Sequence, residues 1–495
     1  MAVELLSARM LAPYFGSGLY TWGTVIGITV LALALGYYAG GKLAEKNPGQ
    51  ECLYWLILLA SSFIIVMPAE AKTLTMAFSD VNPLSALIAI AMILLIPCLM
   101  LYSMTPVVLI HLLTENTGNS GKTAGNVFAV STIGGIISTF LTGFYIIPGF
   151  GLSVPALVLG LVPGTLCFLM LLLRGKIIVI AYFIVVMFGF LELRGKNTHS
   201  NIKIHHISEG IMGQLLVADV TQNNNTNRFL FVDRMGQTYM NLNTGAAGWG
   251  YVDYITAVSS YFPQGSEALL LGLGGGMVAN NLYRILGQKV TAVEFDARIP
   301  GLARKYFSLN DAVTVVVDDA RHYLKSADKK QDLIIMDLYK GETVPFHLYT
   351  LESLRLIQSN LKSEGLLIVN FNGFLNGEEG KAGRSLYKTL AKAGFHIRIL
   401  PTYGIDKYRN CIFIASMQEK DFSELRMPLK KDGNPVNMET LFTDPNQLDL
   451  DDGVVFNDDK PLLELYNINA AKVWREEYNQ YYTKMFTSKG VELFK

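Results

Sequence analysis

The amino-acid sequence predicts a multi-pass α-helical membrane bundle fused to an α/β domain, with a small antiparallel β unit at the junction. Three observations carry that prediction. Charged residues make up 17% of the 495-residue chain, against roughly 25% in an ordinary soluble domain. The deficit is concentrated before Lys196, where roughly one residue in twelve is charged. Apolar runs of spanning length fill that same stretch, and beyond it short apolar strands alternate with helices. Two solvents are implied, which excludes a single soluble globule and a disordered chain. The balance of 41 basic and 41 acidic residues leaves no basic excess for a phosphate backbone, so nucleic acid is not expected as a partner.

A helix needs about 20 apolar residues to cross a hydrocarbon core. The candidates are Leu19–Tyr38, Cys52–Pro68, Leu84–Tyr102, Val127–Ile147, Leu152–Leu173 and Ile177–Leu193, each bounded by Gly, Pro or charge. The third is expected to run on through Pro106 to Leu113, because Val107–Leu113 is too short to cross alone. Helices satisfy their own backbone in lipid, so these runs read as spans. Gly36, Gly40, Gly41, Gly134, Gly135 and Gly143 let neighbouring helices approach closely. The basic residues Lys42, Lys46, Lys122, Arg174 and Lys176 fall in alternate loops, which the positive-inside rule places in the cytoplasm. That count puts the second half outside the cytoplasm if the last run crosses, and inside if it is re-entrant or another helix is miscounted.

The shifts in composition divide the chain at 1–197 (about six to seven transmembrane segments), 198–262 (small β unit), 263–420 (α/β domain) and 421–495 (C-terminal extension). Gln214–Asp219, Phe229–Asp233 and Gln237–Asn241 read as short antiparallel strands. From Ala268 the order becomes strand, helix, strand, which implies a mostly parallel sheet covered on both faces. The expected strands are Ala268–Leu271, Val290–Glu294, Val313–Val317, Leu333–Asp337, Gly365–Asn370, Ile397–Leu400 and, closing the sheet, Cys411–Ser416. Lys430-Lys431-Asp432-Gly433 reads as a surface turn, and Trp474, Tyr478, Tyr481, Tyr482 and Phe486 as a docking stripe.

Ligands of such sheets bind at the carboxyl ends of the strands. Gly272, Gly274 and Gly276 follow the first strand in Gly-Leu-Gly-Gly-Gly, a turn shared by nucleotide, flavin and S-adenosyl sites. Glu294 ends the second strand, where a carboxylate accepts from both ribose hydroxyls. Asp318 and Asp319 end the third, placed for an adenine amino group, and Asp337 ends the fourth. No Walker lysine-serine pair follows the glycines. The set favours an adenosine-containing ligand. Cys52, Cys98, Cys167 and Cys411 lack metal-ligand spacing and read as apolar packing residues, and no metal is expected.

At these residues the chain resembles the spermidine/spermine synthase family, specifically its membrane-fused bacterial branch. The soluble likeness runs from about Gly210 to Ser416, and Asn457-Asp458-Asp459-Lys460-Pro461 resembles that branch's C-terminal motif. The resemblance implies a Rossmann-like, class I methyltransferase-type domain that binds decarboxylated S-adenosylmethionine as co-substrate. It implies glycine-motif roles for Gly272–Gly276, a ribose role for Glu294, an adenine role for Asp319 and a catalytic role for Asp337. Substrate-binding roles fall to Gln237, Tyr251 and, in Pro401-Thr402-Tyr403, Tyr403. The implied reaction moves an aminopropyl group to a small amine acceptor. The implied setting is the bacterial inner membrane, with the lipid bilayer and a homo-oligomer or membrane-complex subunit as partners.

Two positions depart from the family pattern: Gly275 and Lys340 stand where it has aspartates. A contact between unit charges at ~4 Å is worth about 4 kcal/mol at an effective dielectric near 20, before desolvation. The acceptor is therefore expected to be non-standard. Either Glu342 replaces a missing acid or Lys340 points to solvent. Two alternatives stand beside the aminopropyltransferase: an S-adenosylmethionine-dependent methyltransferase, and a non-catalytic nucleoside-binding or scaffold membrane protein.

Overall fold

The computed structural model describes residues 1–78, 81–114, 119–192, 198–199, 201–210, 212–404, 409–428, 435–483 and 485–486. The expected turn at Lys430–Gly433 lies outside them. The chain divides into two compact units, Met1–Leu216 with Asn479–Lys495, and Val217–Tyr478.

The first unit opens with α1 (Ala2–Phe15), α2 (Leu19–Ala44), α3 (Gln50–Ala77) and α4 (Pro83–Leu113). It continues with α5 (Ser120–Leu141), a π turn into α6 (Ile147–Phe150), α7 (Ser153–Leu173) and α8 (Tyr182–Glu192). Five helices among the described residues are long and apolar enough to cross a membrane, with Ser120–Phe150 counted as one. The sixth expected run differs. A 3₁₀ turn over Ile177–Ala181 interrupts it and leaves the 11-residue α8, short of spanning length as a regular helix. The run from Leu84 does continue to Leu113 in one helix, capped by the Asn82 side chain and started by Pro83 at the position where its missing N–H costs nothing.

Small residues set two helix contacts. A methyl group at Gly36 would lie 1.8 Å from Ser103 Oγ, and one at Gly40 would lie 3.1 Å from Met104 Cα, so α2 and α4 pack backbone to backbone. Gly160 and Gly164 do the same for α7 against Ser61 and Ile65 of α3. Gly41 and Gly134 face open space instead. Two strands not expected from sequence, β1 (Thr198–His199) and β2 (Ile202–Ser208), pair antiparallel at the end of this unit.

In the second unit, β3 (Leu215–Gln222), β4 (Asn225–Val232) and β5 (Met235–Asn241) are successive neighbours in one sheet, with β4 and β5 antiparallel. Helix α9 (Tyr251–Ser259) follows. The main sheet is built from β6 (Glu267–Leu271), α10 (Met277–Arg284), β7 (Lys289–Glu294), α11 (Ile299–Phe307), β8 (Thr314–Val317), α12 (Ala320–Ser326) and β9 (Gln331–Met336). It is completed by α13 (Leu351–Asn360), β10 (Leu361–Asn372), α14 (Lys381–Lys392), β11 (His396–Pro401) and β12 (Asn410–Ser416).

Strand order is β11-β12-β10-β9-β6-β7-β8, parallel except for β12, which runs antiparallel to both β10 and β11. Cys411–Ser416 thus lies inside the sheet rather than closing it. Its run of Cys, Ile, Phe, Ile and Ala is buried on both faces, as an interior strand requires. The order reverses between β6 and β9, and the carboxyl ends of those two strands flank the cleft where ligands of open α/β sheets sit.

The C-terminal extension carries β13 (Arg426–Pro428), β14 (Pro435–Asn437), α15 (Leu463–Tyr466) and α16 (Ile468–Tyr478). Before α15 the chain lies along α14 as a strap. Arg384 of α14 is buried and donates to both Asp452 oxygens at 2.8 and 2.6 Å and to Leu375 O at 2.7 Å. Asp458, from the acidic-proline motif, accepts from both Arg321 nitrogens at 2.8 and 2.6 Å and from Thr350 Oγ1 at 2.7 Å. Replacing Arg384 by Met should leave Leu375 O unpaired and release the strap. The expected loss is about 1–3 kcal/mol of unfolding free energy, read as a lower denaturant midpoint.

Candidate active site

Asp337 is placed by main-chain geometry. Its N–H donates to Leu271 O at 2.9 Å, which locks the ends of β9 and β6 together. A Cβ at Gly272 would fall 2.1 Å from Asp337 O, and Gly272 has φ 91°. No other residue type allows that approach in that backbone region. The first glycine of the motif therefore positions Asp337 as well as the turn.

The Asp337 carboxylate sits at the cleft between two neutral donors. Asn370 Nδ2 donates to Oδ1 at 2.8 Å and the Tyr251 hydroxyl to Oδ2 at 3.1 Å. Asn410 Nδ2 donates to Asn370 Oδ1 at 2.8 Å, which fixes the direction of the Asn370 amide. Tyr339 braces the same strand end, donating its hydroxyl to Asn370 O at 3.0 Å and accepting from Asn372 N at 2.6 Å. No described cation contacts the carboxylate. Burial accordingly pushes it above the ordinary aspartate range, with the Asn370 and Tyr251 hydrogen bonds opposing the shift. Burial, and then the charge of Asp337, raise the Tyr251 phenol well above its usual value. A carboxylate so placed is suited to accept a proton.

Strand β5 supports the site from the other side. Gln237 Nε2 donates to Gly341 O at 2.9 Å, holding the loop after β9, and Gly275 N donates to Thr238 Oγ1 at 2.7 Å, holding the glycine turn. A Cβ at Gly275 would lie 2.6 Å from Thr238 Cγ2 and 3.0 Å from Phe307 Cγ. The space an aspartate would occupy there is filled.

Glu294 is buried and accepts from Leu273 N at 3.1 Å and Asp296 N at 2.9 Å. Desolvation raises its pKa, and those two backbone donors lower it. Each oxygen keeps a second lone pair for another donor. The neighbouring aspartates diverge. Asp318 accepts from His322 Nδ1 at 2.7 Å, and that bond holds its pKa below the usual value. Asp319 caps α12, accepting from Arg321 N and His322 N, while its other oxygen lies 3.4 Å from His347 Nε2. Asp319 thus links the end of β8 to the turn that precedes α13, and Asp318 does not. Gly274 and Gly276 complete the turn, with Gly276 at the N-cap of α10 in the left-handed region. Tyr403 is 76% exposed, with its N–H donating to Tyr254 Oη at 2.9 Å. It is not drawn into the Asp337 cluster.

Glu342 does not stand in for a missing acid. It forms a buried ion pair with Arg475 of α16, whose other terminal nitrogen donates to Asp233 O. The sequence reading missed Asn370, Asn410, Tyr339 and Arg475. Asn370 carried a usable signal, since it ends the expected fifth strand at the same sheet edge. The other three carried none. Among the described residues no cluster of His, Cys, Asp and Glu has metal-binding geometry.

The fold and these contacts define an open, doubly wound α/β domain with its polar groups gathered at the reversal of strand order. Residues 250–423 match the family model of the spermine/spermidine synthase domain. A probable polyamine aminopropyl transferase of Bifidobacterium longum is 30% identical over 142 residues, 28% of this chain and 32% of that protein. An N-terminal histidine N-methyltransferase of Emericella nidulans is 30% identical over 143 residues, 28% of this chain and 24% of its own. The chain thus spans about a third or less of the length of these two relatives. The spermidine synthase of Thermotoga maritima aligns in structure with a TM-score of 0.38 and 16% identity, over 49% of this chain and 85% of that one.

Because the folded-state pKa of Asp337 lies above its unfolded value, its ionisation opposes folding. That contribution to stability is fully present below the ordinary aspartate pKa and is lost as pH rises through the folded value. Asp337→Asn should therefore be more stable than the parent at pH 7, with the difference closing toward pH 3, as followed by thermal melts across that range.

Proposed function

We propose that this chain is a membrane-anchored aminopropyltransferase, transferring an aminopropyl group from decarboxylated S-adenosylmethionine to an amine. The Asp337 carboxylate, desolvated and free of any described cation, is the observation that carries this reading. The amine nitrogen attacks the aminopropyl carbon bonded to sulfur. The carbon–sulfur bond breaks, its electron pair stays on sulfur, and the sulfonium becomes the neutral thioether of methylthioadenosine. The nitrogen sheds one proton, which Asp337 accepts. The cationic sulfonium is itself a good leaving group, so the protein's contribution is alignment and a deprotonated nucleophile. No metal enters the reaction.

Glu294 is assigned to the ribose hydroxyls and Asp319 to the adenine amino group. Gly272, Gly274 and Gly276 are assigned to the turn beneath the nucleoside. Gln237, Tyr251 and the exposed Tyr403 are assigned to the acceptor. Asp318 is left out, since His322 occupies it. The five long apolar helices supply the membrane anchor.

With decarboxylated S-adenosylmethionine and a mixed panel of amines, chromatography should detect methylthioadenosine. Its absence with every amine, or methyl transfer from intact S-adenosylmethionine, would overturn the assignment. Asp337→Asn should lower turnover by about 10²–10⁴-fold while leaving nucleoside affinity nearly unchanged. Glu294→Gln should weaken methylthioadenosine binding by about 1–3 kcal/mol, measured by calorimetry.

A further inference from the structure

The acidic-proline motif at 457–461 meets the α/β domain beside Asp319, the residue assigned to the adenine amino group. Asp458 accepts a forked pair of bonds from Arg321, at 2.8 and 2.6 Å, and a third from Thr350 Oγ1 at 2.7 Å. Arg321 stands two residues beyond Asp319 on α12, and its Nη1 also donates to His347 O at 3.2 Å. Asp319 Oδ1 is taken by the backbone N–H groups of Arg321 and His322, at 3.0 and 2.9 Å. Its Oδ2 faces His347 Nε2 at 3.4 Å. A carboxylate only accepts, so the imidazole donates in that contact, and Oδ2 retains a lone pair for one more donor.

A loose guanidinium would compete for that lone pair. Arg321 has the reach, since its bond to His347 O brings it to the residue whose ring already meets Asp319. The Asp458 fork directs it elsewhere. The Asp458 hydrogen bonds, opposed by burial, favour the Arg321 charge, and Glu352 and then Asp319 add to it more weakly. Glu352 is itself engaged by Asp458 N at 3.1 Å. The motif is anchored independently of this pair. Phe456 is buried, its N–H donates to Thr389 Oγ1 at 3.1 Å, and its carbonyl accepts from Leu351 N at 2.8 Å. Asp458 can therefore lose its charge without releasing the strap.

We propose that Asp458 is a positioning residue that sets the base selectivity of the donor site: by occupying Arg321 it keeps Asp319 Oδ2 open to a purine amino group. The inference rests on the aminopropyltransferase reading, in which Asp319 meets the adenine, and adds the residue that governs the choice of base. An amino purine donates to Asp319. An oxo purine presents an acceptor at the same place, which a carboxylate repels and a free guanidinium attracts. The ion pair thus excludes the oxo base by denying it a cation.

Methylthioadenosine and methylthioinosine differ at that position, the second carrying an oxo group for the amino group. Calorimetry on the full-length protein in nanodiscs should show the parent preferring methylthioadenosine by about tenfold or more. Asp458→Asn removes the charge that holds Arg321 and should cut that ratio by about fivefold or more. Asp458→Glu restores the charge and should keep the parent's ratio. The double variant Asp458→Asn with Arg321→Gln removes the freed cation as well and should recover the preference, which separates the effect from local unfolding. Asp452→Asn breaks the strap's ion pair with Arg384, on the far side of Phe456, and should leave the ratio unmoved. An unchanged ratio in Asp458→Asn, no recovery in the double variant, or an equal loss in Asp452→Asn would overturn the proposal while the parent still binds methylthioadenosine selectively. Failure of the parent to bind methylthioadenosine, or equal binding of both nucleosides, would instead remove the reading of the donor site, and this inference with it.

Discussion

The α/β domain is organised around one unfavourable interaction, a carboxylate taken out of water with no described cation beside it. Among the described residues Asp337 accepts only from the Asn370 amide and the Tyr251 hydroxyl. Two neutral hydrogen bonds offset part of the desolvation of a charge and leave the rest as a tendency to take up a proton. Much of the neighbouring structure maintains that arrangement. Gly272 lets β6 and β9 close on one another, Asn410 orients Asn370, and Tyr339 ties down the end of β10. An Asn370 amide that turned over would set its oxygen against Asp337 Oδ1 and its N–H against Asn410 Nδ2, so the Asn410 bond guards the polarity of the whole cluster.

Other charged side chains of this domain are spent on structure. Glu342 and Arg475 hold α16, and Asp458 with Arg321 holds the strap that leads to it. A buried pair contributes little net stability once both ions are desolvated, yet losing one partner leaves the other stranded. Such pairs therefore act as positional locks. Here they hold the C-terminal extension against the α/β domain and place Trp474 and Tyr478 near Tyr339 and Trp249. The extension is thus part of the wall around the carboxylate as well as a covering for α14.

The glycine turn does more than its sequence suggests. Gly272 answers a close strand contact, Gly276 starts a helix, and Gly275 makes room for Thr238 and Phe307. Glu294 supports the same turn through Leu273 N while keeping capacity for a further donor. One carboxylate can therefore stabilise the turn and still accept a further hydrogen bond.

Periodicity and composition by themselves determined the division into an apolar helical half and an α/β half, the helices of the bundle and the alternation of strands with helices. Those features are written in residues near one another along the chain. The glycines, Glu294 and Asp337 were legible for the same reason, because a strand end is a local feature and its place at the sheet edge follows from the alternation. The interior position of Cys411–Ser416 was not, since order in a sheet depends on which edges remain open when the last strands arrive. Nor were Asn370 as the partner of Asp337, the Arg475–Glu342 lock across 133 residues of chain, or the split between Asp318 and Asp319. Each depends on side chains distant in sequence meeting at one point, and only tertiary packing decides which groups compete for a given hydrogen bond.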